Sequence, residues 1–424
     1  MRVPLSANAA TLSKALDVLF VPLVAFLISL KLQEFFNVNA VLLAAALVYL
    51  SKDVLLGRDA PARVRLNEMD YAVLFVALVE VVGYAASTYR ENSFYSLTEA
   101  LFLLLFYYLV RLNLKHSYQR LALYVFISLW GVFLAAVAVY WFVPLYFRIR
   151  ALGFSDLTDF RNYIYVLNPV GVSIGEWVTV LFLMLPFPVA LYIGFRRSSA
   201  ARWLALAAVV AIVCTIALTF IRGAYIALAA FFVFASTLFY AYGLFPLKRI
   251  LLFNALVVCL SAVCLAPLAR PVTTTLSILK TTSQVRSLEG RKNIWRDSLE
   301  IIKRHPVFGV GSQNFVMQYA GYKEQRPDSA FAQRPFNYFF QILVEKGLLG
   351  LAAYGLLVIC FYRVSHRKVG LLGDDTFRKS VVICLMAAYA AVIVRDFSDS
   401  SILSNRGLGA LLWFSFAHNA RLED

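Results

Sequence analysis

Residues 203–243 read "WLALAAVVAIVCTIALTFIRGAYIALAAFFVFASTLFYAYG", and Arg222 is the single charged side chain among them. It separates two apolar runs, 203–221 and 224–243. Each is close to the roughly 20 residues an α-helix needs to cross the hydrocarbon core of a bilayer. In lipid a backbone must satisfy its own amides and carbonyls, which a helix does within itself. The stretch therefore reads as a helical hairpin in a membrane, with a guanidinium at its turn.

Working outward, the same pattern recurs at 16–32, 36–56, 71–87, 97–112, 121–143 and 177–195 before the hairpin. It returns at 250–268, 339–361, 380–394 and 408–418 after it. The fold class is an all-α integral membrane protein, with about twelve transmembrane helices and a large loop before the tenth. Composition agrees. Of 424 residues, 61% are hydrophobic and 15% charged, with mean hydropathy +0.73, whereas a soluble domain carries roughly 25% charged residues. The net charge of +16 has no soluble basic module to serve, so no nucleic-acid partner is expected. Cys214, Cys259, Cys264, Cys360 and Cys384 all lie in apolar runs without metal-ligand spacing. They read as buried apolar residues, and no metal or other cofactor is expected. The first run lacks a small-residue cleavage site and is read as the first span.

Alternate short loops are rich in Lys and Arg: 58–65, 111–120, 196–202, 248–249 and 363–379. By the positive-inside rule this side, with both termini, is cytoplasmic. The long segments 144–176 and 267–338 then lie outside. The expected organisation is nine spans within 1–268, interrupted by the outer loop 144–176. An outer helical segment follows at 269–338, and three spans within 339–424.

Four motifs carry candidate chemistry. The first is "GRKNIWRDSLEIIKRHPVFGVGSQNF", 290–315. A helix is expected after Gly290, with Arg291, Trp295, Ser298 and Ile302 on one face and Lys292, Arg296, Leu299 and Lys303 on the next. Pro306 ends it, and Gly309 and Gly311 allow backbone to approach a ligand or another helix. Spacing alone leaves a solvated charged face and an arginine clamp for phosphate equally open. The second is "TFIRGAY", whose Arg222 either snorkels to the interface or meets an anion. The third is "VRDFSDSS", where Asp396 and Asp399 are expected to form ion pairs with Arg222, Arg291 or Arg406, the alternative being to bind a sugar or a cation. The fourth is "RPFNYFFQILVEKGLLG", from Arg334. There Asn337, Gln341 and Glu345 share a helix face, and Gly347 and Gly350 are expected to allow close helix contact. Glu80, inside the third span, has no obvious partner in sequence.

Together "IRG" (221–223), "GRKNIW" (290–295), "HPVFGVGSQNF" (305–315) and "NYFFQILVEKGLLG" (337–350) resemble the bacterial O-antigen ligase and polymerase family. Residues 220–351 carry the similarity; the first half matches only as a pattern of spans. The resemblance implies transfer of a glycan from undecaprenyl diphosphate, at the periplasmic face of the inner membrane, to an acceptor glycan or to lipid A–core. A flippase and a chain-length regulator are then expected partners, along with membrane lipids. It also implies that Arg222 and Arg291, with Arg296 beside them, hold the diphosphate, and that Asn337, Gln341 and Trp295 contact the acceptor or glycan. Cationic donors there stabilise charge on the departing group.

The chain departs from the family at one position. Family members commonly carry His immediately before the residue matched by Asn337; here Phe336 stands there. Glu345, His305, Glu324 or Asp328 can replace that base, or the acceptor is more reactive, or the chain is inactive. Glu345 is the expected stand-in. The missing His tips the reading toward polymerase over ligase. Two rival classes are a non-catalytic polysaccharide-assembly scaffold and an anion transporter. Against the transporter stands the lack of an inverted repeat or of a pair of Gly/Pro-broken helices in the sequence pattern.

Overall fold

The computed structural model describes residues 7–33, 38–55, 66–151, 174–195, 199–219, 221–266, 282–325, 334–398 and 406–422. Among them every regular element is a helix. In chain order these are α1 (Ala7–Gln33), α2 (Val38–Leu55), α3 (Glu68–Ala85), α4 (Arg90–Asn113), α5 (Ser117–Ala151), α6 (Ile174–Met184), α7 (Pro186–Gly194) and α8 (Ser199–Leu218). Then follow α9 (Arg222–Ala241), α10 (Leu247–Leu265), α11 (Thr282–Arg304), α12 (Phe315–Gln325), α13 (Tyr338–Leu371), α14 (Thr376–Asp396) and α15 (Arg406–Ala420).

Nine stretches among the described residues are long and apolar enough to cross a membrane, α6 and α7 counting as one. The other three runs read from sequence fall on α2, α3 and α15, which are shorter or carry more charge. The centre of the bundle is α14, buried from Ser380 to Tyr389 and packed along α9, α7 and α13. Such all-round burial is what a helix apolar on every face implies. In contrast α10 is peripheral. Leu251, Leu252, Val258 and Val263 on it are exposed. Cys259 and Cys264 share that outward exposure, against the expectation that all five cysteines are buried. A face that meets lipid is as apolar as one that meets protein.

Buried ion pairs tie the helices together. Asp70 of α3 meets Arg111 of α4 at 2.7 Å and accepts from Tyr107 at 3.1 Å. Lys52 of α2 meets Asp17 of α1 at 2.8 Å. Arg111 and Lys368, read as loop cations, are in fact buried; the Lys368 ammonium donates to the His418 carbonyl at 2.6 Å.

Several boundaries differ from the sequence reading: α1 and α4 begin earlier, at Ala7 and Arg90, and α13 runs on to Leu371 rather than ending at 361. Helix α5 runs through Pro144 to Ala151 rather than ending at 143. Proline removes one helical hydrogen bond, and an apolar helix continues past it. Helix α11 begins eight residues before Gly290. And α12, unforeseen in sequence, follows the Gly309–Gly311 turn.

Candidate active site

The decisive local feature is a break in α13. Gly347 has φ 63° and ψ −161°, far from helical values. Such a break frees backbone groups on both sides. Residues 306–311, the Pro-Val-Phe-Gly-Val-Gly turn, take them up. The amides of Val310 and Gly311 donate to the carbonyls of Val344 and Glu345, each at 2.9 Å. The amides of Leu348 and Leu349 donate to the carbonyls of Pro306 at 2.8 Å and Val307 at 3.2 Å. A Cβ at Gly309 would strike the Glu345–Lys346 backbone, and one at Gly347 the Val307 carbonyl. The glycines of this motif thus serve backbone-to-backbone docking. Gly347 was expected to pack helices and instead breaks one. Gly350 then meets the side chain of Lys346, on the same helix.

Lys346, at the break, aims its ammonium at Glu80 of α3 and donates to Ser312 Oγ at 2.5 Å. Glu80 also accepts from Ser312 at 3.0 Å and Tyr354 at 3.2 Å. Next to it Asn314 Nδ2 reaches Ser87 Oγ at 2.7 Å, and Ser93 Oγ donates to the Ser312 carbonyl at 3.0 Å. The turn is therefore bound to α3 and α4 as firmly as to α13. The partner that Glu80 lacked in sequence is a lysine inside the fourth motif itself.

Glu345 is buried. Its carboxylate takes the Gln313 backbone amide and lies 3.4 Å from Gln341 Nε2. With Glu80, Lys346 and Tyr338 it lines a cavity of about 90 Å³. Immediately before α13, Asn337 caps the helix, its Oδ1 accepting from the Phe339 and Phe340 amides at 3.0 and 3.1 Å. Its Nδ2 donates to the Phe397 carbonyl at 2.9 Å, so the amide ties α13 to the end of α14.

Before Asn337 stands Phe336, in a left-handed conformation at φ 52°. Two guanidiniums lie over its ring, Arg291 at 5.7 Å and Arg334 at 5.8 Å. Trp295 stacks on Phe340 with centroids 5.8 Å apart and donates to the Pro335 carbonyl at 2.9 Å. The Arg291–Trp295 face of α11 therefore packs on the entry to α13. A small separate core, including Ile294, Ile301, Phe315 and Val344, holds α11 and α12 there.

Arg222, half-buried, opens α9. Tyr225, three residues on, donates to the Ala217 carbonyl at 2.7 Å and closes the α8–α9 turn. A Cβ on Gly223 would lie 2.7 Å from Ser398 Oγ, so the start of α9 abuts the end of α14. There Arg395 and Asp396 form a buried pair at 2.9 Å, with Thr179 2.6 Å from the guanidinium. Asp396 is thus ion-paired, with its neighbour Arg395, a partner the sequence reading did not name; Asp399 and the Arg406 side chain lie outside the described residues.

Arg291, Trp295, Asn337, Gln341 and Glu345 thus lie along the first turns of α13, and the α9 start that carries Arg222 meets the end of α14 beside them through Gly223. Two candidates stay apart from them. Arg296 lies on the exposed stripe with Lys292, Leu299 and Lys303. His305 is exposed beyond the end of α11, level with the Gly347 break. The side chain of Glu324, and all of Asp328, lie outside the described residues. Lys346, Arg334, Ser312 and Asn314 were not singled out in sequence. The one available signal was Lys346, a charge beside a glycine in an apolar run.

These features define the class: a polytopic all-α membrane protein in which α11 and α12, outside the candidate spans, dock on a broken spanning helix. Residues 206–355, a little over a third of the chain, match the family described as O-antigen ligase, and the resemblance to the ligase and polymerase family holds over that segment. Among curated proteins, the exopolysaccharide production protein ExoQ of Rhizobium meliloti (strain 1021) is 26% identical over 133 residues. That match covers 30% of this chain and 30% of the relative's own length.

Proposed function

We propose that the protein is an inner-membrane glycosyltransferase. It takes a glycan from undecaprenyl diphosphate and joins it to an acceptor sugar at the periplasmic face. The observation that carries this reading is Arg291 and Arg334 over the Phe336 ring at the entry to α13, the helix that buries Glu345, with the Arg222–Gly223 start of α9 meeting the same end of α14 that Asn337 binds. The acceptor hydroxyl attacks the anomeric carbon; its C–O bond forms as the bond to the diphosphate oxygen breaks. Arg222 and Arg291 offer paired N–H donors to the departing phosphates, where negative charge grows. The hydroxyl proton passes to Glu345. The cavity beside it, about 90 Å³, is well below the roughly 300 Å³ at which ligand pockets begin, so the proton is passed from the acceptor hydroxyl to the carboxylate through a bridging water. Phe336, with two guanidiniums over its ring, is a platform beside the acceptor rather than a base. Polymerase is favoured over ligase, with a flippase and a chain-length regulator as partners. The domain arrangement and the cytoplasmic termini rest on the basic short loops.

The test is polysaccharide made in cells lacking the chromosomal gene. Arg222→Ala and Arg291→Ala are each expected to lower transfer about 100- to 1,000-fold, at matched membrane levels. Lysine at either site should restore little, since a point charge cannot form the paired contact. Glu345→Gln should lower transfer by about 100- to 10,000-fold. Normal polymer in both alanine variants would end the clamp. In the deletion strain, core capped by a single repeat unit indicates a polymerase, and polymer absent from the core a ligase. The loss of the family's His at Phe336 favours one rival, a non-catalytic scaffold. Under that reading Glu345→Gln leaves the polymer unchanged.

A further inference from the structure

The far end of the bundle holds a second built feature. Between α7, α9 and α10 lies a cleft of about 530 Å³, within the roughly 300–1,000 Å³ typical of ligand sites. Its walls are aromatic and aliphatic, with Phe231, Phe239 and Phe253 along its length. The polar pair inside is closed on itself: Asn254 Nδ2 donates to Ser236 Oγ at 2.9 Å.

Its lining contains two cations, Arg202 and Arg249, and no Asp or Glu. Arg202 belongs to the first turn of α8 and Arg249 to the first turn of α10. The guanidinium of Arg202 lies 4.5 Å from the Tyr192 ring and donates to its hydroxyl at 3.1 Å. It is thereby held in place with further N–H donors to spare. Pro246 caps α10 without a side-chain hydrogen bond. Two positive helix ends therefore reinforce two arginines. Leu252 both lines the cleft and is 60% exposed, so the apolar wall opens to the outside of the bundle, where lipid lies.

We propose that this cleft binds one anionic phospholipid, its phosphate between Arg202 and Arg249 and an acyl chain along Phe231, Phe239 and Phe253. Basic pockets between spanning helices take such headgroups. This site is remote from the α13 entry and independent of the transfer reaction.

The full chain, stripped of lipid in neutral detergent, is titrated with phosphatidylglycerol, with phosphatidylcholine of the same chains, and with inorganic phosphate. Thermal midpoint and bound lipid by native mass spectrometry are read together. Phosphatidylglycerol is expected to raise the midpoint and remain as one bound molecule; the other two probes should do neither. Arg202→Ala and Arg249→Ala should each weaken that lipid about fivefold, and the double variant about 25-fold. Arg249→Gln, at an exposed side chain, serves if the double variant does not fold. Equal retention of both lipids would reduce the cleft to a nonspecific greasy surface. Equal protection by inorganic phosphate would leave an anion site without a lipid. Unchanged affinity in the variants would remove the arginines. Each of these results overturns the proposal.

Discussion

Two spanning helices are interrupted, and the two interruptions are built in opposite ways. Between α6 and α7 the cause is Pro186. Leu185 before it keeps helical angles, φ −54° and ψ −35°, and its amide still reaches the Leu181 carbonyl at 2.9 Å. The missing proton is intrinsic to proline, and the surroundings, Phe182, Leu185 and Phe187, are apolar and buried. In α13 the backbone itself turns over at Gly347, and amides and carbonyls on both sides need foreign partners. The first interruption asks its neighbours only for shape. The second asks for hydrogen bonds, and so fixes residues 306–311, α3 and the Lys346–Glu80 pair in one place. Glu345 lies beside the second, and Arg291, Trp295, Asn337 and Gln341 lie at the start of the same helix.

The largest effect expected from this contrast is at Gly347. Alanine there must hold a positive φ and clear the Val307 carbonyl. Strain and overpacking together cost about 4 kcal/mol, enough to remove the monodisperse protein from detergent extracts. A folded, active Gly347→Ala variant would break the comparison. Next is the buried pair. Glu80→Gln leaves the Lys346 ammonium buried without its carboxylate, a loss of about 3–5 kcal/mol. Adding Lys346→Met should return most of it, as a double-mutant cycle of unfolding midpoints would show. Asn337→Ala should cost about 1 kcal/mol as a lost cap. It should also loosen the α13–α14 junction, read as faster amide exchange at Phe339 and Phe340. Smallest is Pro186→Ala, expected within about 1 kcal/mol of wild type, because alanine fits a helical backbone and restores a donor. A large loss there would mean that the bend itself is needed.

Span positions were legible because length and apolarity alone decide whether a helix suits lipid. The hairpin around Arg222 and the Arg291–Trp295 face both have structural counterparts in α8–α9 and α11. Neither interruption was read from sequence, although Pro186 and Gly347 were in plain view; with both spans interrupted, the lack of a Gly/Pro-broken pair no longer counts against an anion transporter. A glycine in an apolar run reads as a packing surface; the sign of its φ is set by what docks on it, here a turn some 40 residues earlier. Glu80 and Lys346 are 266 residues apart, so no local pattern could pair them. Phe336 was read as a missing base. That two arginines lie over its ring follows from the packing of α11, which spacing does not encode.

The backbone bonds across the Gly347 break have a consequence for how the sequence can change. They run from main chain to main chain, and so depend little on which side chains surround them, apart from the glycines at 309, 311 and 347. What they do depend on is count. One residue added between Pro306 and Gly311 would offer amides where carbonyls are needed, inside an apolar environment where each unmet group costs several kcal/mol. Insertions and deletions should therefore be purged from this turn, even where substitutions pass freely through it.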